Sequence, residues 1–237
     1  MKFEYPLLTG TLIKRYKRFL ADIHTTAGDI TIHCPNTGSM RGCAEPGSPV
    51  WFWDSGNPKR KYRHSWELVE NSLGHMIGIN THRANHLVRE AIENKILKNF
   101  EYDVLQTEVI YGEEKSRIDL LLTKGDKKNW IEVKNTSLLE IDEKGNAQGY
   151  FPDSVTSRGT KHLRELMLQL EQGDQATLIF CVQHSGIKSV KAAAHLDPLY
   201  AKTLSEAAKA GVRLVAAETK ISDTEIKIIG ELPVILE

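Results

Sequence analysis

Cysteine is scarce in this chain. Cys34, Cys43 and Cys181 are the three among 237 residues, and no two form a C-x-x-C pair. An odd, scattered set argues against a disulfide framework and predicts reduced thiols in a cytoplasmic protein. Excess charge is missing too: 31 Lys and Arg balance 31 Asp and Glu, so bulk composition favours no polyanionic partner. Long apolar runs are absent, none approaching the about 20 residues that span a bilayer. The opening MKFEYPLL lacks the apolar core of a secretion signal, so neither export nor a membrane role is expected. No internal repeat or low-complexity tract stands out. What remains is an ordinary globular composition, 41% hydrophobic and 26% charged, on a chain long enough for two small domains.

The first eighty residues read as short strands with little helix. Leu12–Ile23, Asp29–His33, Val50–Trp53, Trp66–Glu70 and His75–Asn80 alternate or run apolar, with turn formers between them. Five strands without room for crossover helices predict a small closed β-barrel of OB type over residues 1–80. This part is mildly basic, with ten Lys or Arg against seven Asp or Glu. Within LIKRYKRFL, an extended strand would put Lys14, Tyr16 and Arg18 on one face, with Arg15 and Lys17 on the other. Cations beside an aromatic ring suit sequence-tolerant nucleic-acid binding, the cations meeting phosphates and Tyr16 or Phe19 stacking on bases. The plainer alternative is an edge strand that uses charge against aggregation. The loop HCPNTGSMRGC offers amides and hydroxyls at Asn36, Thr37, Gly38 and Ser39, able to meet a phosphate. His33, Cys34 and Cys43 lack a fourth ligand and regular spacing, which excludes zinc. GNPKRKYRH reads as a cationic hairpin tip.

Asn80 or Thr81 is placed to cap a helix reaching about Lys98, with Leu87, Val88, Ala91 and Ile92 as its buried stripe. Glu90 falls at the edge of that stripe, and Glu93 nearly opposite it. A strand over Tyr102–Tyr111 follows, and then the stretch that organises the rest, SRIDLLLTKGDKKNWIEVK from Ser116 to Lys134. It predicts two strands joined by a turn at Gly125 and Asp126, with Trp130, Glu132 and Lys134 on one face of the second. Asp119 stands inside an apolar run, where a carboxylate needs a partner. Paired as a hairpin, the strands bring Asp119 near Glu132, and two adjacent acids call for a cation between them. Mg²⁺ or Mn²⁺ meets that need, with Glu90 as a third oxygen ligand from the helix. Lys134 beside the ion would polarise a phosphate, a set suited to metal-assisted phosphodiester hydrolysis. Against this, an E-x-K on a strand is commonly only a solvated ion pair.

Ser137–Ser154 is polar and turn-rich, including DEKGNAQG. A helix capped by Thr156 or Ser157 runs to about Gln172, buries Leu163, Leu166, Met167 and Leu170, and starts with Arg158, Lys161, His162 and Arg164. Cations at a helix N-terminus make Arg158 and Lys161 candidate phosphate contacts. A strand over Ala176–Val182, a helix Pro198–Ala210 stopped by Gly211, and strands Val212–Glu218 and Thr224–Ile229 complete a mixed α/β layout.

The order of a helix Glu, a strand Asp and E-x-K resembles the PD-(D/E)XK nuclease-like superfamily, mapped here to Glu90, Asp119, Glu132 and Lys134, with Ile118 in place of the motif's proline. The segments HCPNTGSMRGC, SRIDLLL, WIEVKN, GYFPDSVTSRGTKHLREL and HLDPLYAKTLSEAAKAGV resemble the sugar fermentation stimulation protein family over nearly the full length. The resemblance implies an OB-like domain at 1–80, a nuclease-like α/β domain at 81–237, and binding of double- or single-stranded DNA with little sequence preference. The family name implies a link to sugar utilisation that no residue shows. A working Mg²⁺-dependent endonuclease, or an adaptor for a protein or sugar ligand, stands as the alternative. An oligomer is compatible with all three.

Overall fold

The computed structural model describes residues 1–112, 116–142 and 145–236. Six strands come first: β1 (Leu8–Tyr16), β2 (Leu20–Thr25), β3 (Gly28–His33), β4 (Pro49–Asp54), β5 (His64–Glu70) and β6 (Met76–Gly78). They lie in the order β3-β2-β1-β4-β5-β6, and a bridge from His33 to Ser65 closes the first five into a barrel. Leu12, Ile23, Ile32, Val50, Phe52 and Trp66 fill its interior, as alternating inward positions should. The expected OB-type barrel is therefore present.

One expected strand is divided. Leu12–Ile23 is the hairpin β1–β2, reversed at Lys17 and Arg18, whose φ angles are 49° and 63°. Neither residue is the glycine that left-handed backbone favours, so the turn is invisible in residue type. Arg15 supplies what sequence does not: its Nη2 donates to the carbonyls of Arg18, Asn36 and Gly38 at 2.7, 2.9 and 2.9 Å.

Helix α1 (Arg83–Glu93) leaves β6 directly. After it come β7 (Val104–Tyr111), β8 (Ser116–Lys124), β9 (Lys127–Thr136), β10 (Leu138–Ile141), β11 (Ala147–Phe151) and α2 (Ser157–Glu171). The chain continues through β12 (Gln175–Val182), β13 (Val190–Ala192), α3 (Pro198–Ala210), β14 (Arg213–Ile221), β15 (Ile226–Leu232) and β16 (Val234–Ile235). The main sheet runs β15-β14-β12-β9-β8-β7, parallel through β9, β12 and β14 and antiparallel outside them. Leu87, Val88 and Ile92 of α1 pack on Leu120, Ile131, Val133 and Ile179. Leu163 and Leu166 of α2 and Leu204 of α3 pack on Trp130, Leu178 and Phe180 across the other face. Burial on both faces explains why β12 runs apolar from Leu178 to Val182 rather than alternating.

Two expectations change. The predicted polar loop at Ser137–Ser154 carries β10 and β11 of a small second sheet, β10-β11-β13-β16; Glu143 and Lys144 within it lie outside the described residues. Helix α1 stops at Glu93, five residues short of Lys98, because Lys95 turns left-handed at φ 58°. The Ile96 amide then donates to the Ala91 carbonyl at 2.8 Å, the closing bond of a Schellman turn without its usual glycine. Among the described residues, no helix is long and apolar enough to cross a membrane.

The barrel is joined to the main sheet through its last strand. The Gly78 amide donates to the Gln183 carbonyl at 2.9 Å, and Met76 exchanges main-chain and hydroxyl contacts with Ser185. A Cβ on Gly78 would lie 2.5 Å from Gln183 Oε1, and Gln183 is fully buried with its Nε2 held by Asn135. Gly78→Ala should therefore overpack this seam and cost about 1–3 kcal/mol, read as a drop of several degrees in melting temperature. An unchanged melting temperature would show that the seam yields.

Candidate functional site

The site forms where β8 and β9 diverge. Leu120 and Leu122 enter the core under α1, Leu121 the core under α2 and α3. Strict alternation would send Ile118 with Leu120, yet it packs with Leu121, so the pleat breaks at Asp119. Glu108, facing this point from β7, has φ 56°. The break turns Asp119 to two neutral donors: Asn85 Nδ2 of α1 to Oδ1 and the Val133 amide of β9 to Oδ2, both at 2.7 Å. Burial, and after it the charge on Glu132, pushes the Asp119 carboxyl up to about 6.

Glu132 is treated differently. Its Oε1 accepts from Lys134 Nζ at 2.6 Å and from His162 Nδ1, which reaches over from α2. Arg158 Nε donates to His162 Nε2 at 3.3 Å, which assigns the imidazole proton to Nδ1. Burial drives Glu132 toward the neutral form, but Lys134 and then His162 outweigh it and hold the carboxyl below its ordinary value. Glu132 Oε2 is buried and accepts no hydrogen bond from any described residue. The buried hydroxyls of Tyr111 and Tyr200 also lack partners there, and burial followed by the Glu132 charge pushes both upward.

These residues fit a hard divalent cation. One carboxylate oxygen is unsatisfied, and the neighbouring acid meets only neutral donors while the first repels its charge. Among the described residues, no group of three or more His, Cys, Asp or Glu gathers to hold a metal. An ion here would rest on two carboxylates and complete its shell with water or phosphate oxygens, as Mg²⁺ commonly does.

Asp119, Glu132 and Lys134 are thus brought together as expected. Glu90 is not. It lies five positions beyond Asn85, about 140° round the helix, and its Oε2 accepts from the Met1 ammonium at 2.7 Å. Asn85 stands where Glu90 was expected, and His162 is an addition; in sequence it is simply one cation among several at the start of α2.

The barrel residues also divide. Lys14 pairs with Asp22 at 3.6 Å and lies over the Tyr16 ring, while the Tyr16 hydroxyl donates to Asp22. Arg15 is committed to three carbonyls. Lys17, Arg18 and Phe19 form an exposed hairpin tip, so Arg18 does not share a strand face with Lys14 and Tyr16. Arg158 is exposed and Lys161 half-buried on the first turns of α2. Of the loop donors expected for phosphate, Gly38 and Ser39 are engaged: the Gly38 amide donates to Asn36 Oδ1, and the Ser39 amide and hydroxyl, with the neighbouring Met40 amide, donate to the Asp153 carboxylate.

A closed OB-type barrel joined to a mixed sheet with helices on both faces defines a two-part architecture. Residues 13–79 match the SfsA N-terminal OB domain, and residues 82–225 the sugar fermentation stimulation protein RE domain. The chain belongs to the sugar fermentation stimulation protein (SfsA) family. It is 54% identical over 237 residues to a sugar fermentation stimulation protein homolog of Shewanella loihica, covering 99% of each chain. A homolog of Saccharophagus degradans is 54% identical over 218 residues, 91% of this chain and 92% of the other. The structure of Pyrococcus furiosus SfsA in complex with Ca²⁺ superposes with a TM-score of 0.85 at 25% identity, covering 99% of this chain and 98% of that one.

The Asp119 environment has a pH consequence. The folded protein keeps a proton to about pH 6 that the unfolded chain releases near 3.8. Stability of the metal-free protein should therefore fall as pH rises between these values, by about 3 kcal/mol, and stay lower above them. Asp119→Asn, able to keep both hydrogen bonds if Asn85 turns its amide, should raise the melting temperature at pH 7.5 and change it little at pH 4. Equal effects at both pH values would refute the strained acid.

Proposed function

We propose that this chain is a DNA-binding protein of low sequence preference that holds a divalent ion on Asp119 and Glu132. The observation that carries this reading is the buried, unsatisfied Glu132 Oε2 beside an acid that meets only neutral donors. The Ca²⁺ complex of the Pyrococcus furiosus relative supports it. So do the OB-type barrel and its exposed Lys17, Arg18 and Phe19, which present charge to phosphates and a ring to bases. In this reading residues 1–80 and 81–237 are the barrel and nuclease-like domains, and both touch the strand, the second through Arg158 and Lys161.

Phosphodiester hydrolysis is the second reading, favoured by Lys134 Nζ at 2.6 Å from Glu132. A bound Mg²⁺ or Mn²⁺ would polarise a phosphate oxygen. Lys134 then sets positive charge beside the phosphate, and His162 fixes the Glu132 carboxylate so that Oε2 faces the site.

Calorimetric titration with Mg²⁺, Mn²⁺ and Ca²⁺ should show binding to the wild type, none to Asp119→Asn, weakened binding to His162→Ala, and retained binding to Lys134→Ala without cleavage. No heat and no thermal shift with any ion, DNA present, would end the metal-site reading. Binding without cleavage of paired, single-stranded or branched DNA would end the nuclease reading alone.

DNA affinity should fall with salt, with a logarithmic slope of about −0.9 per neutralised duplex phosphate. Replacing Lys14, Lys17 and Arg18 by Ala should weaken all sequences alike and flatten that slope. Phe19→Leu should cost single-strand affinity about 1 kcal/mol or more, and Tyr16→Leu, whose ring is engaged with Lys14, less. An unchanged slope would remove the hairpin from the binding surface.

A further inference from the structure

Between the barrel loop and the main sheet lies a cleft of about 230 Å³. Asn36 and Thr37 line it from the barrel, Thr81 from the approach to α1, Asn135 from the end of β9 and Tyr150 from β11, with Asp153 closing one side. Pockets that enclose a whole small molecule usually measure about 300–1,000 Å³. This one has room for a single group of a larger ligand.

Its chemistry narrows which group. None of the described residues lining it is Lys or Arg. The amides of Ser39 and Met40, which would otherwise welcome an anion, already bind Asp153. A phosphate entering would meet that carboxylate with no cation in the lining to offset it. The carboxamides suit a neutral group instead. Asn36 Oδ1 accepts from the Gly38 amide and Asn135 Oδ1 from Gln183 Nε2, so each keeps its Nδ2 as a donor. Two amide donors and the Tyr150 ring, which also meets the His195 ring edge to face at 5.1 Å, match a flat group with acceptors along its edge.

Position narrows it further. Asn135 directly follows Lys134, and Thr81 lies four residues before Asn85, the residue that binds Asp119. On the barrel side, Arg15 Nη2 ties the rim carbonyls of Asn36 and Gly38 to the Arg18 carbonyl in the hairpin tip. The rim is thus joined to the candidate phosphate site at one end and to the cationic tip at the other.

The geometry points to a pocket for one unpaired nucleobase of a DNA strand whose phosphates run from Lys17 and Arg18 toward Lys134. This rests on the DNA-binding reading above and names the form of DNA it takes. In a duplex the base edge is spent on its pairing partner and both faces are stacked. Only an unpaired base can offer its edge to Asn36 and Asn135 and a face to Tyr150.

The test uses the full chain and two DNAs at one salt concentration, a paired duplex and the same duplex with one unpaired thymine, read by fluorescence anisotropy. The wild type should bind the second at least tenfold more tightly. Thr37→Met, an exposed rim position that would fill the cleft, should remove the preference while keeping duplex affinity within twofold. Tyr150→Leu, which removes the ring, should reduce it. Equal wild-type affinity for the two DNAs, or a preference surviving both substitutions, would overturn the pocket and leave electrostatic binding intact. No binding of either DNA would overturn the DNA-binding reading and the pocket with it.

Discussion

The molecule depends on how it satisfies one buried charge. Glu67 sits on β5, where the register against β4 shifts, with its side chain fully shielded from solvent. Arg83 meets it with two nitrogens, Nε at 2.6 Å and Nη2 at 2.9 Å, and Asn80 adds a third donor at 2.9 Å. A buried carboxylate stripped of such partners costs about 3–5 kcal/mol, so the barrel in effect dictates where α1 begins. Two residues beyond Arg83, Asn85 meets Asp119; two residues before it, Thr81 donates to the Pro35 carbonyl at the cleft rim. The same guanidinium lies over the Phe3 ring, which secures the N-terminal segment. Barrel, helix and acidic site are therefore placed by one ion pair.

At the site itself, two carboxylates share a neighbourhood but not an environment. Glu132 has an ammonium and an imidazole and stays charged despite its burial; Asp119 has an amide side chain and a main-chain N–H and resists ionisation. Environments that push paired acids apart are a common mark of a working site. Among purely structural ion pairs a spare buried oxygen such as Glu132 Oε2 would be a defect.

Much of this was legible in the residues, for physical reasons. Strands of the barrel and main sheet follow from alternation and turn formers. Thr156 caps α2 through its side-chain oxygen, and Gly211 ends α3 in the left-handed region. E-x-K beside an acid in an apolar strand signalled the site because such an acid needs a partner. What was not legible depends on contacts distant in sequence. Lys17, Arg18 and Lys95 take left-handed backbone without glycine, and for the first two the compensating bonds come from Arg15. The choice of Asn85 over Glu90 turns on which face of α1 meets the broken pleat, a rotation that a buried stripe leaves open. His162 becomes distinctive only when α2 docks. Strands β10, β11 and β13 are short and polar enough to read as loop, and only one another's edges make them a sheet.

The parallel pairing of β9 with β12 has a consequence for when the site exists at all. Lys134 lies beside Phe180, and between them in sequence the chain must lay down β10, β11 and all of α2. Contacts of such separation form late, because the loop they close must be ordered first. On a ribosome, Asp119, Glu132 and Lys134 emerge well before His162, and longer still before the strand that fixes β9 in the sheet. A nascent chain thus carries every acid of the site while lacking its geometry, which exists only once β12 has been made and docked.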